Sequence, residues 1–212
     1  MYLSDRDILW AIKTGKLIVN PPPDSEKIGP SSFDLHLDRI EEAKIWDVEK
    51  YSKDKGIQGE KRPELKIGDY NYGEFSKNYL RHPPDFNPDD LESDKVVQRG
   101  HEVIIRNGGF ILWQTREKLG TPGDLADYVC FVEGKSTKAR SGLVVHLTAP
   151  NIHATWSGNI TLEIVNLGPF DLVLKEGDSI AQATIAKLSS PPLKSARETQ
   201  TFGQKSVHGA DQ

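Results

Sequence analysis

The chain has 212 residues, enough for one domain with a substantial core, and its 36% hydrophobic and 27% charged residues imply an ordinary polar surface. Its net charge is -4 and no basic stripe runs along it, which argues against polymeric nucleic acid as a partner. No apolar run approaches the roughly 18 residues of a membrane helix, Met1-Tyr2-Leu3-Ser4-Asp5 lacks the basic and apolar regions of a secretion signal, and the single cysteine, Cys130, excludes an internal disulfide; a cytoplasmic protein with no membrane partner is expected.

The first expected element is a short helix. Ser4 reads as its N-cap with Asp7 completing a capping box, Leu3 and Ile8 are placed for a hydrophobic staple, Ile8, Leu9 and Ile12 form the apolar face, and Gly15 ends it. After Pro21-Pro22-Pro23, Phe33, Leu35 and Leu37 alternate with Asp34, His36 and Asp38 as in a half-buried strand. Residues 40 to about 100 are polar and weakly periodic. They read as a surface insertion with one or two short elements and no catalytic role. From His101 onward, short Val/Ile/Leu-rich segments near Val103–Arg106, Phe110–Thr115, Tyr128–Val132, Leu143–Thr148, Ile160–Asn166, Leu172–Leu174 and Ile180–Leu188 alternate with turn signals such as Asn107-Gly108-Gly109 and Thr121-Pro122-Gly123. Such spacing predicts a mainly β sandwich or barrel. The stretch from about Ser189 is polar and reads as a flexible tail on a single domain spanning 1–212.

Two patterns could carry chemistry. Gly134-Lys135-Ser136 lacks the glycine five residues earlier that a P-loop requires, Val129 standing there instead. Even so, Lys135-Ser136-Thr137-Lys138-Ala139-Arg140-Ser141 gathers cations and hydroxyls that suit a polyphosphate, as they would equally suit a solvated turn. In the strand around Asn159-Ile160-Thr161-Leu162-Glu163-Ile164-Val165, Thr161, Glu163 and Val165 share a face. Taken alone, Glu163 is an ordinary strand glutamate; desolvated, it becomes a candidate for proton transfer. The histidines and one cysteine do not form the His/Cys set of a zinc nucleobase deaminase. His146, among apolar residues, reads as a hydrogen-bonded core histidine, and no G-x-S-x-G elbow occurs.

The run Gly134-Lys135-Ser136-Thr137-Lys138-Ala139-Arg140-Ser141-Gly142-Leu143, then Val145-His146-Leu147-Thr148-Ala149, then Trp156-Ser157-Gly158-Asn159-Ile160-Thr161-Leu162-Glu163, resembles the dCTP deaminase family of the trimeric dUTPase superfamily. Leu3-Ser4-Asp5-Arg6-Asp7-Ile8, Pro30-Ser31-Ser32-Phe33-Asp34-Leu35 and Gly177-Asp178-Ser179-Ile180-Ala181-Gln182 are further matches. The resemblance implies a distorted β-barrel or jelly-roll-like, dUTPase-type fold and a homotrimer with interfacial sites. It further implies hydrolytic deamination of dCTP to dUTP and ammonia without zinc, on a nucleotide carrying Mg²⁺. Glu163 is then the general acid/base, Ser136 and the Ala149 carbonyl hold the water, and Arg140 orients Glu163. Lys135, Thr137, Lys138 and Ala139 meet the phosphates together with Gln204 of Thr201-Phe202-Gly203-Gln204-Lys205, while His153, Thr161 and Leu162 are the remaining substrate contacts.

The chain departs from the family pattern in a shorter tail without the tyrosine and lysine of the family clamp, in the insertion at 40–100, which has no counterpart, and at single positions. Members carry arginine and serine where this chain has Lys135 and Thr137, and lysine keeps the charge without the bidentate fork. His153 stands where related sequences have an aspartate, which contacts the sugar 3′-hydroxyl in deaminases and activates water in dUTPases. This favours deamination alone over a dUTP pyrophosphatase or a bifunctional deaminase–pyrophosphatase; a non-catalytic nucleotide-binding regulatory trimer is the other alternative.

Overall fold

The computed structural model describes residues 1–59, 62–89, 94–121, 123, 126–196 and 203–209. Pro122, Thr201 and Phe202, named above, lie outside them. The elements are α1 (Asp5–Lys13), β1 (Ile18–Asn20), β2 (Ser32–His36), β3 (Ile45–Trp46), α2 (Val48–Asp54), α3 (Tyr72–Tyr79), β4 (Leu80–Arg81), β5 (Val96–Arg99), β6 (Glu102–Ile105), β7 (Phe110–Gly120), β8 (Tyr128–Gly134), α4 (Ser136–Ala139), β9 (Leu143–Val144), β10 (Asn151–Ile152), β11 (Ser157–Asn166), β12 (Leu172–Lys175) and β13 (Ser179–Lys187).

The fold is mainly β, as expected. One sheet runs β1-β7-β11-β9, a second β10-β8-β13-β2, a third β12-β6-β5, and β3-β4 is a separate hairpin pair. The two four-stranded sheets enclose the core. Phe33, Leu35, Trp113, Leu162, Ile164, Ile180 and Ile185 alternate inward along their strands and are almost fully buried. Trp113 Nε1 donates to the carbonyls of Asp38 and Arg39, both at 3.1 Å, so the indole's one polar atom is satisfied in an apolar interior. Cys130 is also inside, and burial pushes its thiol pKa up to about 12, leaving it an inert core residue.

α1 is capped by Ser4 Oγ, which accepts from Asp7 N at 3.4 Å, and Gly15 (φ 72) follows its end. Its buried face is Ile8, Ala11 and the partly covered Ile12. Leu9 is exposed, because at one residue from Ile8 it is rotated about 100° away from the sheet. The segment expected to run as a strand over 143–148 pairs only at Leu143–Val144, after which the chain leaves the sheet. The insertion is richer than expected: α2, α3, β3, β4 and β5 all fall within it. It is anchored to the main sheet by reciprocal hydrogen bonds of 2.8 Å between Lys44 and Leu112 of β7.

The turn carrying α4 is fixed by backbone contact. Gly142 (φ 92) faces Gly168 so closely that a Cβ on Gly142 would lie 2.1 Å from Gly168 N, and one on Gly168 would lie 1.9 Å from Ser141 O. Only glycine permits both the left-handed conformation and the approach. Gly168→Ala is expected to cost about 3 kcal/mol and to lower Tm by roughly 6–12 °C in a thermal melt.

Candidate functional site

β11 carries the centre of the site. Its register sets Glu163 opposite Leu112 of β7, and Lys44 bridges Leu112 on the other side. Residues directly opposite in antiparallel pairs share a face, so Glu163 and Thr161 project away from Leu162 and Ile164, whose side chains sit in the core. The projecting face opens into a cleft of about 510 Å³ that contains Ala149, His153, Thr161, Glu163 and Gln204.

Burial raises the Glu163 pKa above the ordinary carboxylate value. Main-chain N–H groups of Leu147 and of Glu163 itself, together with nearby His146, only partly offset this. The carboxylate is therefore a desolvated proton acceptor held by main-chain donors. His146, expected as a hydrogen-bonded core residue, is half-buried, and its Nδ1 has no hydrogen-bond partner among the described residues.

The remaining expected residues fall elsewhere. Ser136, Thr137, Ala139 and Arg140 are exposed on or beside α4, a single helical turn directly after β8, and none of these four lines the cleft. Lys138 is half-buried on the same turn. Lys135 is engaged inside the chain: its Nζ lies 2.6 Å from Asp34 Oδ2 and 2.9 Å from Ser179 Oγ. Burial alone would raise the Asp34 pKa, but hydrogen bonds from Lys135 and Ser179 and the Lys135 charge outweigh it and hold the carboxyl below its usual value. Leu162 is fully buried, so any contact it makes with a ligand is through its backbone.

Two features of the cleft were not expected. The insertion supplies part of the wall, through Trp46, Tyr70 and Tyr72; the reading of residues 40–100 as a surface excursion is corrected accordingly. A usable signal was present, since four of the six tyrosines lie between 51 and 79. The described end of the tail, 203–209, is docked instead of free: Gln204 is 3% exposed and Val207 fully buried. Asn159 N donates to the Gln204 carbonyl, and Gly203 N to the Ser157 carbonyl, both at 2.9 Å, which adds the tail to the edge of β11. Among the described residues no three His, Cys, Asp or Glu side chains converge in a metal-binding arrangement, and no helix is long and apolar enough to cross a membrane.

A mainly β fold with a carboxylate at the base of a cleft defines a class, and comparison with known proteins supplies the family. In fold the chain is similar to the crystal structure of 2′-deoxycytidine 5′-triphosphate deaminase from Agrobacterium tumefaciens (TM-score 0.54, 16% identity, 89% of this chain), and it spans about half, 48%, of that chain. The dCTP deaminase-like family profile matches residues 2–188, and the chain belongs to that family. Similar proteins include a dCTP deaminase of Thermomicrobium roseum, 32% identical over 97% of this chain and 90% of the relative. Another is a dUMP-forming dCTP deaminase of Corynebacterium glutamicum (strain R), 32% identical over 90% of this chain and 83% of the relative.

A carboxylate with a raised folded-state pKa favours the folded state below the unfolded pKa and loses that contribution as pH rises through the folded value. Glu163→Gln removes the desolvated charge. It is expected to raise Tm at pH 7 and to leave it unchanged near pH 4, which melts at the two pH values will show.

Proposed function

We propose that the chain deaminates dCTP to dUTP and ammonia by hydrolysis of the exocyclic C–N bond of the cyclic amidine, with Glu163 as the proton carrier. The observation that carries this reading is the desolvated Glu163 facing a cleft of nucleoside size, in a chain of the dCTP deaminase-like family. Glu163 takes a proton from water as its oxygen bonds to C4 of cytosine, and delivers that proton to N3. The tetrahedral intermediate collapses as a second proton, from the same oxygen, reaches the amino group, which departs as ammonia and leaves the uracil carbonyl. A carboxylate whose pKa is raised toward neutrality is suited to both directions of transfer, and such help is worth roughly 10²–10⁴-fold.

The charge distribution supports an interfacial site. None of the cleft-lining residues is a lysine or arginine, and a triphosphate with its Mg²⁺ needs cationic and hydroxyl partners. The α4 turn has them, with Arg140 exposed and outside the cleft. We propose that α4 of a neighbouring copy in a homotrimer brings Ser136, Thr137, Lys138, Ala139 and Arg140 to the cleft, with Ser136 and the Ala149 carbonyl holding the water and Arg140 orienting Glu163. Lys135, bound to Asp34 and Ser179, then reaches the phosphates only by exchanging those partners.

Purified protein with dCTP and Mg²⁺ is expected to release ammonia and dUTP. Glu163→Gln should lower the rate by at least about 10²-fold without unfolding the chain; no product from any cytosine nucleotide would refute the assignment. Because His153 stands in the cleft at the position of the family aspartate, dUTP is expected to remain intact, and pyrophosphate release would instead establish the dUMP-forming activity. Interfacial assembly has its own check. Co-expressed Glu163→Gln and Arg140→Ala chains, each inactive alone, should recover about one quarter of the wild-type rate by random pairing around a head-to-tail ring.

A further inference from the structure

The insertion and the C-terminal segment meet at Tyr72, the first residue of α3. Its hydroxyl donates to the Val207 carbonyl and lies close to Thr161. Gln204 Nε2 in turn donates to Thr161 Oγ1. A carbonyl oxygen only accepts and an amide nitrogen only donates. The Gln204 amide therefore donates to Thr161, and the Tyr72 hydroxyl to Val207. Both bonds involve the C-terminal segment, and one of them reaches Thr161, two residues before Glu163 on the same face of β11.

Its surroundings hold it in place. Tyr72 is packed edge-on against Trp46 at 6.4 Å and against Tyr70 at 6.3 Å, and Trp46 rests on Phe75 at 5.2 Å. The segment has further holds. Gln114 Nε2 donates to the Lys205 carbonyl at 3.2 Å and Ser76 Oγ to the His208 carbonyl at 3.1 Å, while the Val207 side chain is fully buried. Carbonyl groups at 204, 205, 207 and 208 thus all have donors from the body of the protein, two of them from α3 of the insertion.

We propose that Tyr72 is a positioning residue for the deamination site: the insertion uses its hydroxyl to seat residues 203–209, whose Gln204 holds Thr161, beside Glu163. The inference rests on the function proposed above for its kinetic consequence, while the seating itself does not depend on it. Tyr72 does not exchange a proton with substrate; it orders the wall and the segment that a nucleotide meets.

Tyr72→Phe keeps the ring and deletes the link. Hydrogen exchange of the full-length protein, followed by mass spectrometry, should show amides of 203–209 exchanging about 3- to 10-fold faster, the loss expected for one hydrogen bond, with the core strands unchanged. With dCTP and Mg²⁺, KM should rise about 5-fold while kcat and its pH profile stay near wild type, because Glu163 keeps its surroundings. Ser76→Ala, which removes a hold on the same segment from outside the cleft, should speed the same amides. Unchanged exchange at 203–209 in Tyr72→Phe would overturn the proposal, and so would a uniform rise in exchange across the protein, which would make Tyr72 a folding residue only. If the wild-type protein turns over no cytosine nucleotide, the proposed function falls, while the exchange result still decides whether Tyr72 seats the segment.

Discussion

The pairing of three backbones around Leu112 governs the molecule's chemistry. Glu163 of β11 lies opposite it on one side and Lys44 of the insertion on the other. Strand pairing allows no intermediate register, since a one-residue slip would move every side chain to the opposite face. Held in this register, Leu162 and Ile164 fill the core while Thr161 and Glu163 look into the cleft. The same pairing brings the insertion over Glu163 and so helps to remove the carboxylate from water. Burial, main-chain donors and an aromatic wall are consequences of one hydrogen-bonded ladder, and the carboxylate keeps its raised proton affinity only while that ladder is intact.

A second consequence is the separation of charge within a single chain. The carboxylate that lines the cleft and the cations that suit phosphate are carried by different elements, β11 and α4, and α4 turns its hydroxyls and Arg140 to solvent. A lysine next to an anionic partner is already half used: Lys135 is committed to Asp34 and Ser179. If the guanidinium of Arg140 lay permanently against Glu163 in the same chain, it would favour the ionised carboxylate and lower its proton affinity. Supplying it from a second copy, as proposed, ties full assembly of the site to association and substrate.

Much of the fold was legible because its signals are local. The Ser4 cap, the alternation through Phe33 and Leu35, and the alternation of Thr161 and Glu163 with Leu162 and Ile164 each depend on a few neighbouring residues, and the structure has them as expected. Leu9 failed for the same reason that the rest succeeded: a short apolar cluster reads as one face until the 100° step per residue is applied to the whole helix. The strand expected through Thr148 stopped at Val144, since propensity does not show whether a partner strand is present. His146 was read from its apolar neighbours alone, which do not reveal that its ring lies near Glu163 with one nitrogen unpartnered among the described residues.

What remained hidden is long-range. The insertion has no strong periodicity because its apolar surface is aromatic and is spread over β3, α2, the 70–72 segment and α3, so no single element shows a face. Its rings pack mostly on one another, and only Trp46, Tyr70 and Tyr72 reach the cleft. The tail gave still less warning, for it is held through its carbonyls, and carbonyls are common to every residue. A polar, glycine-bearing sequence is compatible with such docking, to which the Gln204 and Val207 side chains also contribute. Composition therefore predicted a free end where the structure has a seated one. The difference lies in donors more than 90 residues away in sequence, at Gln114, Ser76 and Tyr72. Two of these three donors belong to the insertion, so a segment that looks dispensable by composition is the part that gives the tail somewhere to bind.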